Sequence, residues 1–520
     1  MPFSFLLFYD GGMKQAKVIF GKTLCAVDRR IYGSFLEHMG RAVYDGVFDN
    51  ETKTCRSDVI RLVRALGTTV VRYPGGNFVS GYRWEDGVGK RRIPRQEQAW
   101  GGTEPNTFGT DEFIAWCARC GVEPVMAVNL GTRGEKEAVD LLSYCNGVDD
   151  SRRMANGHVS PYGIRLWCLG NEMDGPWQIG HKDAKTYGAL ASRTARAMKA
   201  EDPHIEVVAC GSSTRSMSTF GSWEREVLAS CYDDIDCLSL HGYWGNFTGE
   251  DKEFLASSLN LDASISSVER IVREEKSERK SPHSVHISVD EWNVNYHDRM
   301  KSASAEEWKE WFLSSHTFEE FYHHFGPAVA RMRAPLHGMV APPILEDRYT
   351  LEDALVVGTL LTTLVRHAES VRVACIAQLV NVIAPIMTDR THAWKQTIFY
   401  PFMHMATYGY GTVMDTSFDC PAYASSLYGT VPVLEGVAIE NEDGFVLFVT
   451  NRSIDEEMLL EMPEECQEGE HIVLTGPLSA VDDEESQLVA PSTERCSRNV
   501  RLPSHSWNVL RYPLSTRSRS

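Results

Sequence analysis

The sequence predicts an α/β protein: a (β/α)8 barrel followed by a C-terminal antiparallel β-sandwich. Three observations carry this. Eight short apolar runs each end in a polar cluster, and helical patterns lie between them. From about Pro385 the texture changes to β-rich runs that alternate and are separated by polar turns, as in "GFVLFVTNRS", "HIVLTG" and "SWNVLRYPL". And 520 residues is too long for one ordinary core.

In chain order the runs are "RIYGSFLEH", "TTVVRYPGGN", "EPVMAVNLG", "IRLWCLGNE", "IEVVACGSS", "DCLSLHGYW", "VHISVDEWN" and "VRVACIAQLVN". They are nearly continuous in apolar residues, as parallel strands covered on both faces must be. The helices between them read from spacing. In "SDVIRLVRALG", Val59, Leu62, Val63 and Leu66 share one face, Ser57 is placed to cap the start, and Gly67 to end the helix. A doubly wound sheet is the alternative. It fits less well, because no glycine-rich phosphate turn follows the first strand, and "GYGTVM" at Gly409 is too weak a match. The expected division is a disordered extension over 1–12 with Met13 as the true start, strands in 13–30 that join the sandwich, a barrel over 31–384, and the sandwich over 385–520. Phe3 to Tyr9 is apolar, yet no basic residues precede it and no small-residue cleavage site follows, so it is a poor signal peptide.

Composition narrows the function classes. The chain is 43% hydrophobic and 24% charged, with a net charge of -19. That balance argues against nucleic acid or an anionic membrane as the main partner. No run of about 18 apolar residues marks a membrane span. Thirteen cysteines, an odd number scattered through apparent strands and helices, fit reduced thiols in a cytosolic protein. Cys117 and Cys120 form a C-x-x-C late in an amphipathic helix, with no second pair to complete a zinc site; both read as buried structural residues.

In a barrel of this kind the active site lies at the carboxyl ends of the strands. The residues there are Glu37 and His38; Arg72 and Asn77; Asn129; Asn171 and Glu172; Ser212; His241 and Tyr243; Glu291; Gln378 and Asn381, with Trp84, Trp100, Trp177, Trp244 and Trp292 close by in sequence. Any one polar strand end is more often a solvated or capping side chain. Jointly, amides, carboxylates, Arg, His and Tyr among aromatic faces suit sugar rings, which have apolar C–H faces and hydroxyl rims. Two carboxylates are the minimum for cleaving a glycosidic bond, one as acid and one as base or nucleophile. Glu172 and Glu291 follow the fourth and seventh strands, which stand across a barrel. An arginine beside the nucleophile would hold it charged, and Arg72 is the candidate. The rival chemistries lack their signatures: no H-E-x-x-H for a metal and no G-x-S-x-G for a serine nucleophile. His323-His324 reads as structural. No metal or cofactor is expected.

Several long motifs occur in order: "IYGSFLEHMGRAVYDGVFD", "VVRYPGGNFVSGYRWEDGVG", "EPNTFGTDEF", "AVNLGTRG", "WCLGNEMDGPWQIGH", "LSLHGYW", "DEWNVNYH" and "AQLVNVIAPI". With them the sequence resembles the α-L-arabinofuranosidases of glycoside hydrolase family 51, from about Lys14 to the C-terminus. The resemblance implies an exo-acting, retaining enzyme. It makes Glu172 similar to the family's acid/base and Glu291 to its nucleophile. Glu37, Asn77, Asn171, Tyr243 and Gln378 match positions that contact the arabinose hydroxyls or the nucleophile; Trp100 and His241 join them as expected substrate contacts. It also implies a cytoplasmic hexamer acting on arabinose-containing oligosaccharides. There are departures: Asn295 stands where an aromatic is expected, "SYCNGVDDSRRMANGHVSPYG" is shorter than the usual loop, and "RQEQAWGGTEPN" differs around its tryptophan. Another retaining specificity on the same barrel, such as a β-glucanase or xylosidase, and a non-catalytic carbohydrate-binding protein are the alternatives. In a retaining pair the carboxyl groups should stand about 5–5.5 Å apart. Asn171 should lie beside Glu172 and reach a sugar hydroxyl, Arg72 and Tyr243 should approach Glu291, and Glu172 should be the less well paired, protonated carboxyl.

Overall fold

The computed structural model describes residues 13–295, 317–320, 322–324, 336–484 and 486–513. The expected extension over 1–12 lies outside these residues, as do Tyr296 and His297 of "DEWNVNYH".

Eight parallel strands close into a barrel: β2 (Gly33–Phe35), β3 (Val70–Tyr73), β4 (Glu123–Val128), β5 (Leu166–Leu169), β6 (Glu206–Ala209), β7 (Cys237–Trp244), β8 (His286–Val294) and β9 (Val371–Ile376). Each corresponds to one of the eight apolar runs. Helices follow in turn: α1 (Ser57–Leu66), α2 (Thr110–Cys120), α3 (Glu135–Asn146), α4 (Ala184–Glu201), α5 (Ser222–Cys231), α6 (Ser258–Arg279), α7 (Leu351–Arg366) and α8 (Phe399–Tyr408). The barrel interior is filled by modest side chains, among them Val125, Ala127, Cys168, Val208, Cys237, Val373 and Cys375. That narrow filling leaves room for larger charged groups in the layer above.

One local expectation needs correcting. Ser57 does not cap α1; it is the first helical residue, and Arg56 occupies the cap position with no side-chain hydrogen bond to the helix. The guanidinium of Arg56 turns instead to Asp58 and to the carbonyls of Asp389 and His392, which ties the helix start to a loop of the eighth unit. The exit behaves as read: Gly67 has φ 81°, and its N–H reaches the Val63 and Arg64 carbonyls. Cys117 and Cys120 are both buried on α2.

The sandwich strands begin later than the change of texture at Pro385. Residues 386–395 form a small hairpin, and α8 packs against α1 and α7 as part of the barrel layer. The first sandwich strand after the barrel is β10 (Thr412–Asp419). The hairpin's first strand is wholly buried, and Gln396 anchors its return to the carbonyls of Asp347 and Ala384, at the end of the eighth barrel unit. The remaining strands are β11 (Leu434–Asn441), β12 (Gly444–Asn451), β13 (Met458–Glu461), β14 (Glu468–Leu474), β15 (Ser492–Ser497), β16 (Asn499–Leu502) and β17 (Ser506–Pro513). The N-terminal strand β1 (Lys14–Ala26) inserts between β10 and β13 in this nine-stranded sheet, so the first and last parts of the chain share one core. Apart from the β1–β13 pair, the strands are antiparallel.

The sandwich seats on α7, which is buried along almost its whole length. Gly358 of that helix faces Trp507, and a Cβ there would come within 2.5 Å of the indole. The Trp507 indole donates to His404 of α8 at 3.1 Å. A buried Arg452–Glu435 ion pair, joined by Ser258 and Thr363, completes the seam. The sandwich therefore braces the helices behind strands seven and eight. Every residue expected in the site belongs to the barrel.

Candidate active site

Glu291 stands inside a strand. On β8 it is paired directly with His241 of β7. Two residues on, Tyr243 donates its hydroxyl to Glu291 Oε1 at 2.8 Å. From β3, Arg72 Nη1 approaches Glu291 Oε2 at 3.2 Å. The loop after β3 comes close because it is glycine: a Cβ on Gly76 would meet both Glu291 and Glu37 at 3.3 Å, and one on Gly75 would lie 2.7 Å from Glu37 Cγ.

Glu172 stands beyond a strand. After β5 ends at Leu169, the chain turns through Gly170 at φ 92°, and Glu172 itself has φ 42°. A non-glycine residue in the left-handed region is uncommon and costs about 1–3 kcal/mol unless its surroundings hold it there. Here the Glu172 carbonyl accepts from Gly175 at 2.9 Å, and the Trp177 indole donates to Glu172 Oε2 at 2.6 Å. His241 Nδ1 lies 3.0 Å from Glu172 Oε1. One carboxylate oxygen of Glu172, one of Glu291 and one His241 nitrogen all lie within 4.8 Å of one another.

Asn171 is beside Glu172 and fully buried. Its Oδ1 accepts from Arg72 Nη2 at 2.8 Å and its amide donates to Gln178 at 3.3 Å. Glu37 follows β2. Its Oε1 accepts from the Phe78 N–H at 2.9 Å and the Trp100 indole at 3.0 Å, and its Oε2 accepts from Gln378 at 3.1 Å. Asn77 is half-buried and opens the short turn that presents Phe78 to Glu37.

Other strand-end residues turn to structural work. Asn129 caps its own loop, Ser212 donates its backbone N–H to Glu224, and Asn381 bonds to Arg41 and Thr388. Trp84 packs on Tyr144, Trp292 is wholly buried, and Trp244 donates to Asn260. Asn295 is buried, with its N–H on the Trp244 carbonyl. His323 and His324 are exposed.

The charges are crowded. His241 is buried, yet its imidazole is raised to about 10, because Glu291, Asp290 and Glu172 around it outweigh the cost of burial. Burial also pushes the Glu291 carboxyl up and the charge of Glu172 adds to this, while His241, Arg72 and Tyr243 pull it back. Glu37 is raised to about 8, first by burial and then by Glu291. The expectation that Glu172 is the less well paired carboxyl does not hold: it has two partners, the Trp177 indole and His241, just as Glu291 has Tyr243 and Arg72. The reason is its turn, which brings Trp177 back over the carboxyl.

Sequence reasoning missed Asp290, Gln178 and the direct Trp177 contact. A signal existed for Asp290: an acid in the middle of an apolar run, next to Glu291. Among the described residues, two groups crowd enough oxygen and nitrogen donors to consider an ion: Glu172, His241 and Glu291, and Asp389, His392 and Glu484. The first is the centre of the site described above. In the second, His392 and Glu484 are exposed.

Residues 62–250 match a family model described as α-L-arabinofuranosidase 1 domain, and residues 290–506 one described as α-L-arabinofuranosidase C-terminal domain. The chain is 45% identical over 465 residues to an intracellular exo-α-(1→5)-L-arabinofuranosidase of Acetivibrio thermocellus, covering 86% of this chain and 87% of the relative. It is 42% identical to a Bacillus subtilis enzyme named in the same way, over 96% of this chain and 99% of the relative. Among solved structures, a family 51 α-L-arabinofuranosidase from Bifidobacterium longum superposes with a TM-score of 0.84 at 34% identity, over 96% of this chain and all of the other. A Thermotoga maritima α-L-arabinofuranosidase in an arabinose complex gives 0.80 at 26% identity, with 96% and 100% covered. No helix among the described residues is long and apolar enough to cross a membrane.

Proposed function

We propose, for a chain that belongs to the α-L-arabinofuranosidases of glycoside hydrolase family 51, that Glu291 is the nucleophile and Glu172 the acid/base of a retaining double displacement. The enzyme removes terminal α-L-arabinofuranosyl groups from non-reducing ends. The observation that carries the mechanism is the approach of the two carboxylates to within 4.8 Å. A retaining pair stands about 5–5.5 Å apart, whereas an inverting pair needs about 6.5–9.5 Å to admit a water.

In the first step a Glu291 oxygen attacks the anomeric carbon. The bond to the leaving oxygen breaks, and Glu172 gives that oxygen its proton. The product is a glycosyl ester on Glu291. In the second step Glu172, now a carboxylate, takes a proton from water as the water oxygen attacks the same carbon and frees Glu291. Arg72 and Tyr243 favour the charged, aligned nucleophile. Glu37, Asn77, Trp100, Asn171 and Gln378 surround the sugar and take its hydroxyls, with Asn171 held ready by Arg72. Glu37 keeps its proton up to about pH 8 and so has a hydrogen to donate as well as lone pairs to offer.

The test is the configuration of the first product. Proton NMR during early turnover of an aryl α-L-arabinofuranoside should show the α anomer before mutarotation; the β anomer appearing first would defeat the assignment. The same proposal includes action in the cytosol on arabino-oligosaccharides, as the names of the relatives support, and assembly as a hexamer, which light scattering on the purified protein checks.

A further inference from the structure

Beneath the two glutamates lies a third carboxylate to which the mechanism gives no part. Asp290 is 2% exposed, in the interior of the barrel. Its Oδ2 is 3.2 Å from Arg72 Nε, and its Oδ1 is 3.6 Å from His241 Nε2. The Cys168 thiol donates to Oδ2 at 3.5 Å. The contacts to Arg72 and His241 are between charges: neither has hydrogen-bond geometry. Asp290 thus touches both cations of the site from the side away from the substrate. Those cations face the reacting carboxylates with their other ends: Arg72 Nη1 on Glu291 at 3.2 Å, and His241 Nδ1 on Glu172 at 3.0 Å and on Glu291 at 3.8 Å.

The geometry points to Asp290 as a positioning residue: it fixes the aim of Arg72 and holds His241 as an imidazolium between Glu172 and Glu291, and so sets the pH range in which that pair carries one proton. This rests on the roles assigned to the two glutamates. The reasoning is one of charge. Both ring nitrogens of His241 face carboxylates, Nδ1 towards Glu172 and Glu291 and Nε2 towards Asp290, so each is best served by carrying a hydrogen. The other titratable groups around this centre are Arg72 on β3, Cys168 on β5, Cys210 after β6, Tyr243 on β7, Cys375 on β9, Glu37 after β2 and, on the turn of Glu172, Asp174, whose carboxyl is raised to about 7 first by burial and then by Glu172. The three thiols are pushed up by burial and stay neutral, as does the Tyr243 hydroxyl. Arg72 is then the only other cation among them. Asp290 itself is held below the usual carboxylate range: burial opposes this, but Arg72 and then His241 outweigh it. A buried anion gripped by two cations stays ionised at every working pH.

The sign of the test follows. Removing a buried negative charge makes every proton in the cluster easier to lose. Asp290→Asn should therefore move both limbs of the kcat/KM profile to lower pH, by about one unit. With Arg72 and His241 no longer aimed, kcat should fall about 10²-fold and KM much less. Asp290→Glu keeps the charge but misplaces it, so the limbs should return towards wild-type positions while kcat stays low. Limbs unmoved in a folded Asp290→Asn protein, whatever its rate, would mean a merely structural role and overturn the proposal. The wild-type protein supplies a second reading. At pH 8 the ¹⁵N resonances of His241 should show both nitrogens protonated; a neutral ring there overturns the proposal, and if Asp290→Asn cannot be folded this reading decides alone. It needs no turnover, so it is separable from failure of the glycosidase mechanism, which would appear as an inverted product or as loss of the leaving-group dependence of Glu172.

Discussion

Glu291 belongs to a strand, and its position is set by the ladder: β8 pairs with β7 on both sides of a register shift between Ser239 and His241, and His241 sits opposite Glu291. Glu172 lies three residues past the end of its strand, on a turn whose backbone is held in the left-handed region at φ 42°. The ladder fixes Glu291 through main-chain bonds that no single side chain controls. Glu172 is fixed by side chains, chiefly the Trp177 indole and His241. The difference suits the two tasks. A nucleophile must meet one carbon along one line, so rigidity serves it. An acid that becomes a base must serve two oxygens in turn, so a turn held by replaceable partners serves it.

The comparison is broken most severely by removing the strand-held group. Glu291→Ala should lose turnover of every substrate, to below about 10⁻⁴ of the wild-type rate, because no glycosyl ester can form. Steady-state assays on activated and natural substrates check this; appreciable activity on either would exchange the roles. Glu172→Ala comes next and should be selective. Substrates with poor leaving groups should lose about 10²–10⁴-fold, activated aryl arabinosides should keep a measurable first step, and azide should rescue the second. Equal losses without azide rescue would erase the distinction.

Trp177→Phe sharpens the comparison. It removes the indole donor while keeping an aromatic face, so steps that use Glu172 should slow about tenfold, as expected for one charge-assisted hydrogen bond. The rate at which an activated substrate esterifies Glu291 should stay near wild type. Slowing of both steps alike, in pre-steady-state measurements, would show that the turn positions the whole site.

The smallest effect is on stability. Glu37 has a folded-state value of about 8 against an ordinary 4.5, so between these the folded protein holds a proton that the unfolded chain does not. Its contribution to stability is therefore full below about 4.5 and falls as pH rises to about 8. Thermal melts across that range should show Glu37→Gln losing less stability with rising pH than wild type; parallel curves would place the proton elsewhere.

Much of this was legible along the chain. The apolar runs near Val70, Leu166 and Ile287 could be read because burial on both faces of a parallel strand leaves a local trace. Glu172 and Glu291 stood out because a carboxylate where such a run ends or is interrupted is costly unless something uses it. Asp290 carried the same kind of trace and was passed over beside its neighbour. The pairing of Glu172 could not be read, because Trp177 returns to it through a turn that no spacing rule predicts. The change of texture at Pro385 precedes the sandwich strands because residues 386–395 form a separate two-stranded hairpin before β10.

The sequence by itself determined the order of eight strand–helix units, the sandwich at the end of the chain, and the two glutamates at one rim of the barrel. Periodicity and strand-end polarity are local properties, and a closed parallel barrel sends all its carboxyl ends the same way. Only the tertiary structure decided that β1 lies between β10 and β13, that Asp290 grips Arg72 and His241 together, and that Glu37 keeps a proton near neutrality. Each of these depends on distances between residues far apart in the chain. Charge interactions and strand pairing act through space, so closure of the fold had to set those distances first.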